Sequence, residues 1–196
     1  KREKKAQEIY AQIGGKSPLL DFTRQQAYAL EKELSFSGNF KVFVAMRYWK
    51  PFAADTVAEV KKYDPDQLIL LPLYPQFSSA TTESSIKDFA EKFTIKKNKT
   101  GKEVSTKIVC CYPTEPDFIK SHSLLIKQTI LQSFDDFTKF RLLFSAHGLP
   151  QKLIDRGDPY VFQVTETTKK IVANLARILS IPEEEIDFQI CYQSKV

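Results

Sequence analysis

Five short apolar runs separated by helix-patterned stretches constrain the fold of this chain more than any other feature. They are 40–46 (FKVFVAM), 67–73 (QLILLPL), 104–112 (VSTKIVCCY), 140–146 (FRLLFSA) and 187–193 (DFQICYQ). Their β-branched and aromatic content predicts strands. QLILLPL, almost continuously apolar, reads as a strand covered on both faces. Helices are predicted over about 51–63, 82–93, 115–134 and 160–179, the last ended by Ser180 and Pro182. Two more precede the first strand. Residues 2–13 place Ala6, Ile9, Tyr10 and Ile13 on one face and close at Gly14-Gly15. Ser17-Pro18 reads as N-cap and first-turn proline of a helix to about Ser35. Alternation of strand and helix predicts parallel βαβ units, hence an open, mostly parallel α/β sheet with helices on both faces.

Charge narrows the function. The chain carries 29 Lys+Arg against 24 Asp+Glu, a net +5. Residues 1–5 contribute +3 and the lysine-rich stretch 92–107 contributes +5, so the remainder is mildly acidic. Two local tracts are not the basic stripe of a nucleic-acid-binding face, and no nucleic-acid partner is expected. The tract 94–103 reads as a solvated, mobile connection. Six glycines form neither a dinucleotide fingerprint nor a phosphate-binding P-loop. Cys110, Cys111 and Cys191 are odd in number and lack metal-finger spacing, which reads as reduced thiols packed as small core residues. No apolar run approaches the ~18 residues of a membrane span. A first residue other than Met and an end just after a strand suggest a piece of a longer protein.

In open α/β sheets, ligands bind beyond the carboxyl ends of the strands. There stand Arg47-Tyr48-Trp49, Tyr74-Pro75-Gln76-Phe77-Ser78, Tyr112-Pro113, His147-Gly148-Leu149-Pro150 and Gln193-Ser194-Lys195. This aromatic, hydroxyl-rich rim with one histidine and one arginine suits a large, flat, partly apolar ligand bearing a few anionic groups. Aromatics at strand ends are also ordinary core caps.

The stretch 142–160, LLFSAHGLPQKLIDRGDPY, resembles the active-site signature of the ferrochelatase family, whose members insert Fe²⁺ into protoporphyrin IX. Four more stretches agree in the same order: GGKSP at 14–18, MRYWKP at 46–51, LPLYPQFSSATTESS at 71–85 and YQSKV at 192–196. The resemblance covers essentially the whole chain. It implies two similar α/β lobes around a porphyrin cleft, both incomplete here. Residues 1–135 would be the N-terminal lobe without its first strand, and 136–196 the start of the second.

The chemistry requires Fe²⁺ to lose water, the macrocycle to bend and two pyrrole N–H protons to leave. An imidazole serves as base or as ligand near neutral pH. By resemblance His147 is that residue at the inner face of the ring, with both roles open. Ser145 and Arg156-Gly157-Asp158 would shape its loop. Arg2, Tyr10 and Ser17 match porphyrin-contacting positions of mammalian members, although a solvated helix-end charge also accounts for Arg2. Arg47 and Tyr48 would line the polar wall, near Tyr74 and Ser78, with metal guidance a second role for Arg47. His122 stands where mammalian members carry a His-His pair, one of which has been proposed as functional. Between Lys120 and Lys127, the reading as a solvated helix face competes strongly.

Departures from the family pattern matter too. The downstream Ser-x-His-x-Glu-Thr-Leu motif and the N-terminal Asn-Leu-Gly-Gly-Pro strand are absent, which implies that the piece by itself is inactive. Ser79 stands where mammalian members place the first cysteine of a [2Fe–2S] cluster, so no cluster and no other cofactor is expected. The resemblance then implies a bacterial-type, cytoplasmic enzyme with protoporphyrin IX and Fe²⁺ as partners, and allows peripheral contact with the inner membrane. The alternatives are a coproporphyrin III ferrochelatase, more remotely a cobalt or nickel chelatase, and a non-catalytic tetrapyrrole-binding α/β module.

Overall fold

The computed structural model describes residues 2–12, 14–133 and 140–194, for 2–6 the backbone alone. Three helices come first: α1 (Arg2–Ala11), α2 (Leu19–Leu34) and α3 (Ala53–Tyr63). Strand β1 (Gln67–Leu70) is followed by a π-helical turn at Ser79–Glu83 and helix α4 (Ser84–Lys92). Next come β2 (Ser105–Ile108), α5 (Pro116–Ser133), β3 (Leu142–His147), α6 (Gln151–Asp155), α7 (Tyr160–Leu179) and β4 (Phe188–Gln193). Every ladder is parallel, as the alternation predicts. β1 pairs with β2 from Gln67–Ser105 to Leu70–Ile108, and β3 with β4 from Leu142–Phe188 to His147–Gln193.

Three expectations need correction. First, the sheet is not continuous: among the described residues the strands form two separate two-stranded ladders. Second, the run 40–46 joins neither of them. Its polar groups are taken by side chains instead: Val42 N–H donates to Glu31 (2.8 Å) and Val44 C=O accepts from Thr56 Oγ1 (2.7 Å). The one backbone bridge there joins Met46 to Phe52 and closes the 47–51 loop. Third, QLILLPL is covered on one face only. Leu68 and Leu70 are half-buried, whereas Ile69, Leu71 and Leu73 are exposed. Strand β1 also stops before Pro72, which has no N–H to give a ladder.

The lysine-rich tract is an ordered turn rather than a loose connection. Asn98 Oδ1 accepts from Thr100 N–H, Thr100 Oγ1 and Lys102 N–H, and Lys99 N–H donates to the Asp64 carboxylate. Gly101 supplies the left-handed residue, φ +83°.

Two units gather the contacts. One is the chain up to Pro65 with Phe89–Lys102; the other is Asp66–Asp88 with the chain from Glu103 onward. The expected lobe boundary at 135/136 lies outside the described residues. In the first unit, α3 buries Ala53, Thr56, Val57 and Val60, a single face at i, i+3, i+4, i+7 spacing. In the second, Ile130 of α5 meets Val172, Leu175 and Ala176 of α7 and Ile186, with Leu142 and Phe144 of β3 packed alongside. Arg141 Nε, 2.7 Å from Asp187 Oδ2, pins the start of the β3–β4 register. Helix α7 ends at Ser180 in the left-handed region, φ 58°, just before Pro182. Among the described residues no helix is long and apolar enough to cross a membrane.

Leu175 is 0% exposed at the centre of this core. Leu175→Ala is expected to cost about 2–5 kcal/mol, a transfer term plus a cavity, in reversible urea unfolding. A loss below about 1 kcal/mol would mean that the α5–α7 contact is not the core.

Candidate active site at the carboxyl ends of the strands

The site of the second unit is built where β3 and β4 end. His147 is the last residue of β3 and lies opposite Gln193 of β4. Its ring is exposed because β3 alternates, with Leu143, Ser145 and His147 facing outward. Backbone and side-chain contacts fix it. Gly148 N–H donates to Gln193 C=O (2.8 Å), and His147 N–H donates to the Tyr160 hydroxyl (3.2 Å). Ser194 Oγ lies 3.5 Å from His147 Nδ1, close enough to orient the ring.

Asp158 joins this turn to the segment after β1. Its Oδ2 accepts from Ser78 Oγ (3.0 Å), Ser79 N–H (2.8 Å) and Ser79 Oγ (2.8 Å), and its Oδ1 accepts from Tyr160 N–H (3.1 Å). Burial alone would push this carboxyl up. The hydrogen bonds from Ser79, Tyr160 and Ser78 outweigh burial and hold it below the usual carboxylate range. One carboxylate thus fixes both the π-helical turn and the first residue of α7.

The same segment is laced to α7 and to the chain after β2. Phe77 N–H donates to Gln163 Oε1 (2.7 Å), and Gln76 Nε2 donates to Thr167 Oγ1 (2.9 Å). Thr167 Oγ1 lies 2.7 Å from Pro113 C=O, and Tyr112 N–H donates to Pro75 C=O (2.8 Å). The Tyr112 hydroxyl donates to Pro72 C=O, and burial pushes its pKa up. Tyr74 stands out from this framework, 38% exposed.

The candidates from the sequence separate into different situations. His147, Tyr74 and Ser78 belong to the second unit. Ser78 is 1% exposed; its hydroxyl donates to Asp158 and accepts from Ala80 N–H, so it braces the segment in this structure. In the first unit, the Arg47 guanidinium lies 4.9 Å from the centre of the Tyr48 ring, which is 72% exposed. Tyr10 is exposed on α1, and its C=O receives Gly15 N–H. Helix α2 starts one residue later than expected, with Pro18 rather than Ser17 at its N-cap, although Ser17 Oγ still accepts from Leu19 N–H (3.3 Å). Arg2 lies in α1, but its side chain is outside the described residues, as are Ile13, Lys195 and Val196. His122 is exposed on α5 with its ring edge-on to Phe118, centroids 4.6 Å apart. Among the described residues, no three His, Cys, Asp or Glu side chains gather into a metal-holding group.

Sequence reasoning missed Gln163 and Thr167. Their signal was available: two polar residues at i, i+4 spacing flanking buried Val164 on the packed face of α7. The reach of Tyr160 to His147 N–H had no local signal, because it spans 13 residues through a turn.

Asp158→Asn retains the shape but not an acceptor for three donors. It is expected to destabilise the protein by about 1–3 kcal/mol at neutral pH. A carboxyl with a lowered folded-state pKa stabilises above its unfolded pKa and loses that contribution as pH falls through the folded value. The gap between wild type and Asp158→Asn in urea unfolding should therefore close in the acid range. A gap unchanged down to pH 2 would contradict the assignment.

Comparison with known proteins gives the family. The ferrochelatase family model matches residues 1–196. The ferrochelatase of Rickettsia felis is 49% identical over all of this chain and 53% of its own length. That of Rickettsia bellii is 49% identical over all of the chain and 51% of its own length. That of Pelagibacter ubique is 42% identical over 97% of the chain and 52% of its own length. The chain spans about half the length of these curated relatives. With the family pattern matched from end to end, and its His and Gly-Asp-Pro-Tyr segments joined through Tyr160 in one hydrogen-bonded framework, the chain belongs to the ferrochelatase family.

Proposed function

We propose that the whole protein inserts Fe²⁺ into protoporphyrin IX to form protohaem, with His147 at the reacting face of the macrocycle. The observation that carries this is the placement of His147: an exposed imidazole at a strand end, with its backbone tied to Tyr160 and its ring to Ser194. Orientation of this kind suits a group that must meet a pyrrole proton or an incoming metal at one face.

The remaining roles follow the chemistry of the ligand. Propionates ask for cations and hydroxyls, which Arg2, Tyr10, Ser17 and Arg47 supply by type. Arg47 over the Tyr48 ring presents a guanidinium whose fork fits a carboxylate. Tyr74 offers an aromatic surface, and Ser78 acts on the site through Asp158. His122, an exposed imidazole on α5 edge-on to Phe118, is the lesser candidate. The same reading carries two α/β lobes dividing near 135/136 in the whole protein and a cytoplasmic enzyme with peripheral inner-membrane contact. It carries no iron–sulfur cluster, because Ser79 stands at one ligand position. Turnover is proposed for the whole protein, since this chain spans about half the length of its curated relatives.

The test is anaerobic incubation of the full-length protein with Fe²⁺ and protoporphyrin IX, following loss of porphyrin fluorescence and appearance of the haem spectrum. His147→Ala should lower the rate by about 10²–10⁴-fold, the usual contribution of a positioned proton-transfer group. Normal turnover in the variant would remove His147 from the centre. Faster metallation of coproporphyrin III would move the substrate assignment to that porphyrin. Binding and quenching without haem formation would identify a tetrapyrrole-binding module.

A further inference from the structure

Cys110 and Cys111 follow β2, where the proposed function leaves them unused. Cys110 is exposed, Cys111 is half-buried, and their sulfurs lie 3.1 Å apart with the Cys110 thiol donating to Cys111. That hydrogen bond, and burial after it, push the Cys110 thiol up. Cys111 Sγ also accepts from Gln163 Nε2 at 3.8 Å, and the Oε1 of the same amide holds Phe77 N–H. Next in the chain, Tyr112 N–H holds Pro75 C=O, the Tyr112 hydroxyl holds Pro72 C=O, and Pro113 C=O meets Thr167, which also holds Gln76. The thiol pair and the segment bearing Tyr74 therefore share one hydrogen-bonded framework, all within one unit.

We infer that Cys110–Cys111 is a reversible oxidation site, closing to a vicinal disulfide whose formation loosens the Pro72–Ser79 segment. The oxidant class is a low-molecular-weight disulfide such as oxidised glutathione. One cysteine, as thiolate after its proton passes to solvent, attacks a glutathione sulfur and expels one glutathione thiolate. The neighbouring cysteine, deprotonated in turn, attacks the mixed disulfide and expels the second. The two protein thiols lose two protons and two electrons, and one glutathione disulfide becomes two thiols.

Geometry sets both halves of this inference. Neighbouring Cα atoms are held about 3.8 Å apart, below the ~4.4–6.8 Å that an ordinary disulfide spans. Closure therefore strains the backbone at 110–111, and strained, accessible disulfides are the easily reduced, regulatory ones. The Cys111 sulfur must also turn from Gln163 toward its new partner. Gln163 then loses one of the contacts that fix it against Phe77. That this segment belongs to the active site rests on the proposed function; the chemistry of the thiols does not.

Full-length protein equilibrated in glutathione redox buffers, then alkylated and mapped by peptide mass, tests the inference. The peptide holding both cysteines should lose two hydrogens as an internal disulfide, and reduced glutathione should restore it. Cys110→Ser and Cys111→Ser should each stop at a single glutathione adduct, while Cys191→Ser oxidises as wild type. Amide hydrogen exchange over 72–79 should rise at least several-fold on oxidation. Two independent adducts on the wild-type pair, oxidation confined to Cys191, or unchanged exchange over 72–79 would overturn the inference. These readouts need no porphyrin, so absence of chelatase activity would sink the proposed function and leave this result standing.

Discussion

The carboxylate of Asp158 is the contact on which the described site depends. It gathers four donors from two segments some 80 residues apart in the chain: Ser78 and Ser79 after β1, and Tyr160 at the start of α7. Without it, the π-helical turn loses its anchor and α7 its first-turn acceptor. Tyr160 in turn presents the hydroxyl that receives His147 N–H. A charged acceptor bonded several times over makes stronger contacts than neutral pairs do.

Around that contact, the architecture divides labour between core and rim. The α5–α7 packing, with Val172 and Leu175 fully buried, supplies the cohesion of the second unit. The parallel pair β3–β4, clamped by Arg141 and Asp187, carries that cohesion to the strand ends. There the side chains turn from apolar to polar, and His147, Ser194 and Tyr160 meet. Polar groups on the packed face of α7, Gln163 and Thr167, extend the framework to the Tyr74 segment. Gln163 also reaches Cys111, which gives the paired thiols a physical route to the site.

Much of this was legible in the residues. Helix α7 spans the predicted 160–179, because an apolar stripe, Ser180 and Pro182 all mark the same limits. The motif at 142–160 located His147 correctly at a strand end. What could not be read was partnership. The run FKVFVAM has strand composition, yet Glu31 and Thr56 satisfy its backbone from the side. QLILLPL has the composition of a doubly covered strand, yet one face is open. Ser78 and Ser79 look like rim hydroxyls, and only the fold shows that Asp158 holds both. Lysine content suggested a loose connection at 94–103, where Asn98 in fact ties a turn with its own side chain.

The most direct measurement of whether Asp158 joins the two segments is amide hydrogen exchange, residue by residue, in wild type and Asp158→Ala. Ser79 and Tyr160 give their N–H groups to the carboxylate itself, and His147 N–H depends on it only through Tyr160. If the carboxylate holds both segments, all three amides lose protection together in the variant, while Val172 and Leu175 in the core keep theirs. Loss at Ser79 with His147 unchanged would contradict the central claim, because the His147 turn would then stand without the contact said to hold it.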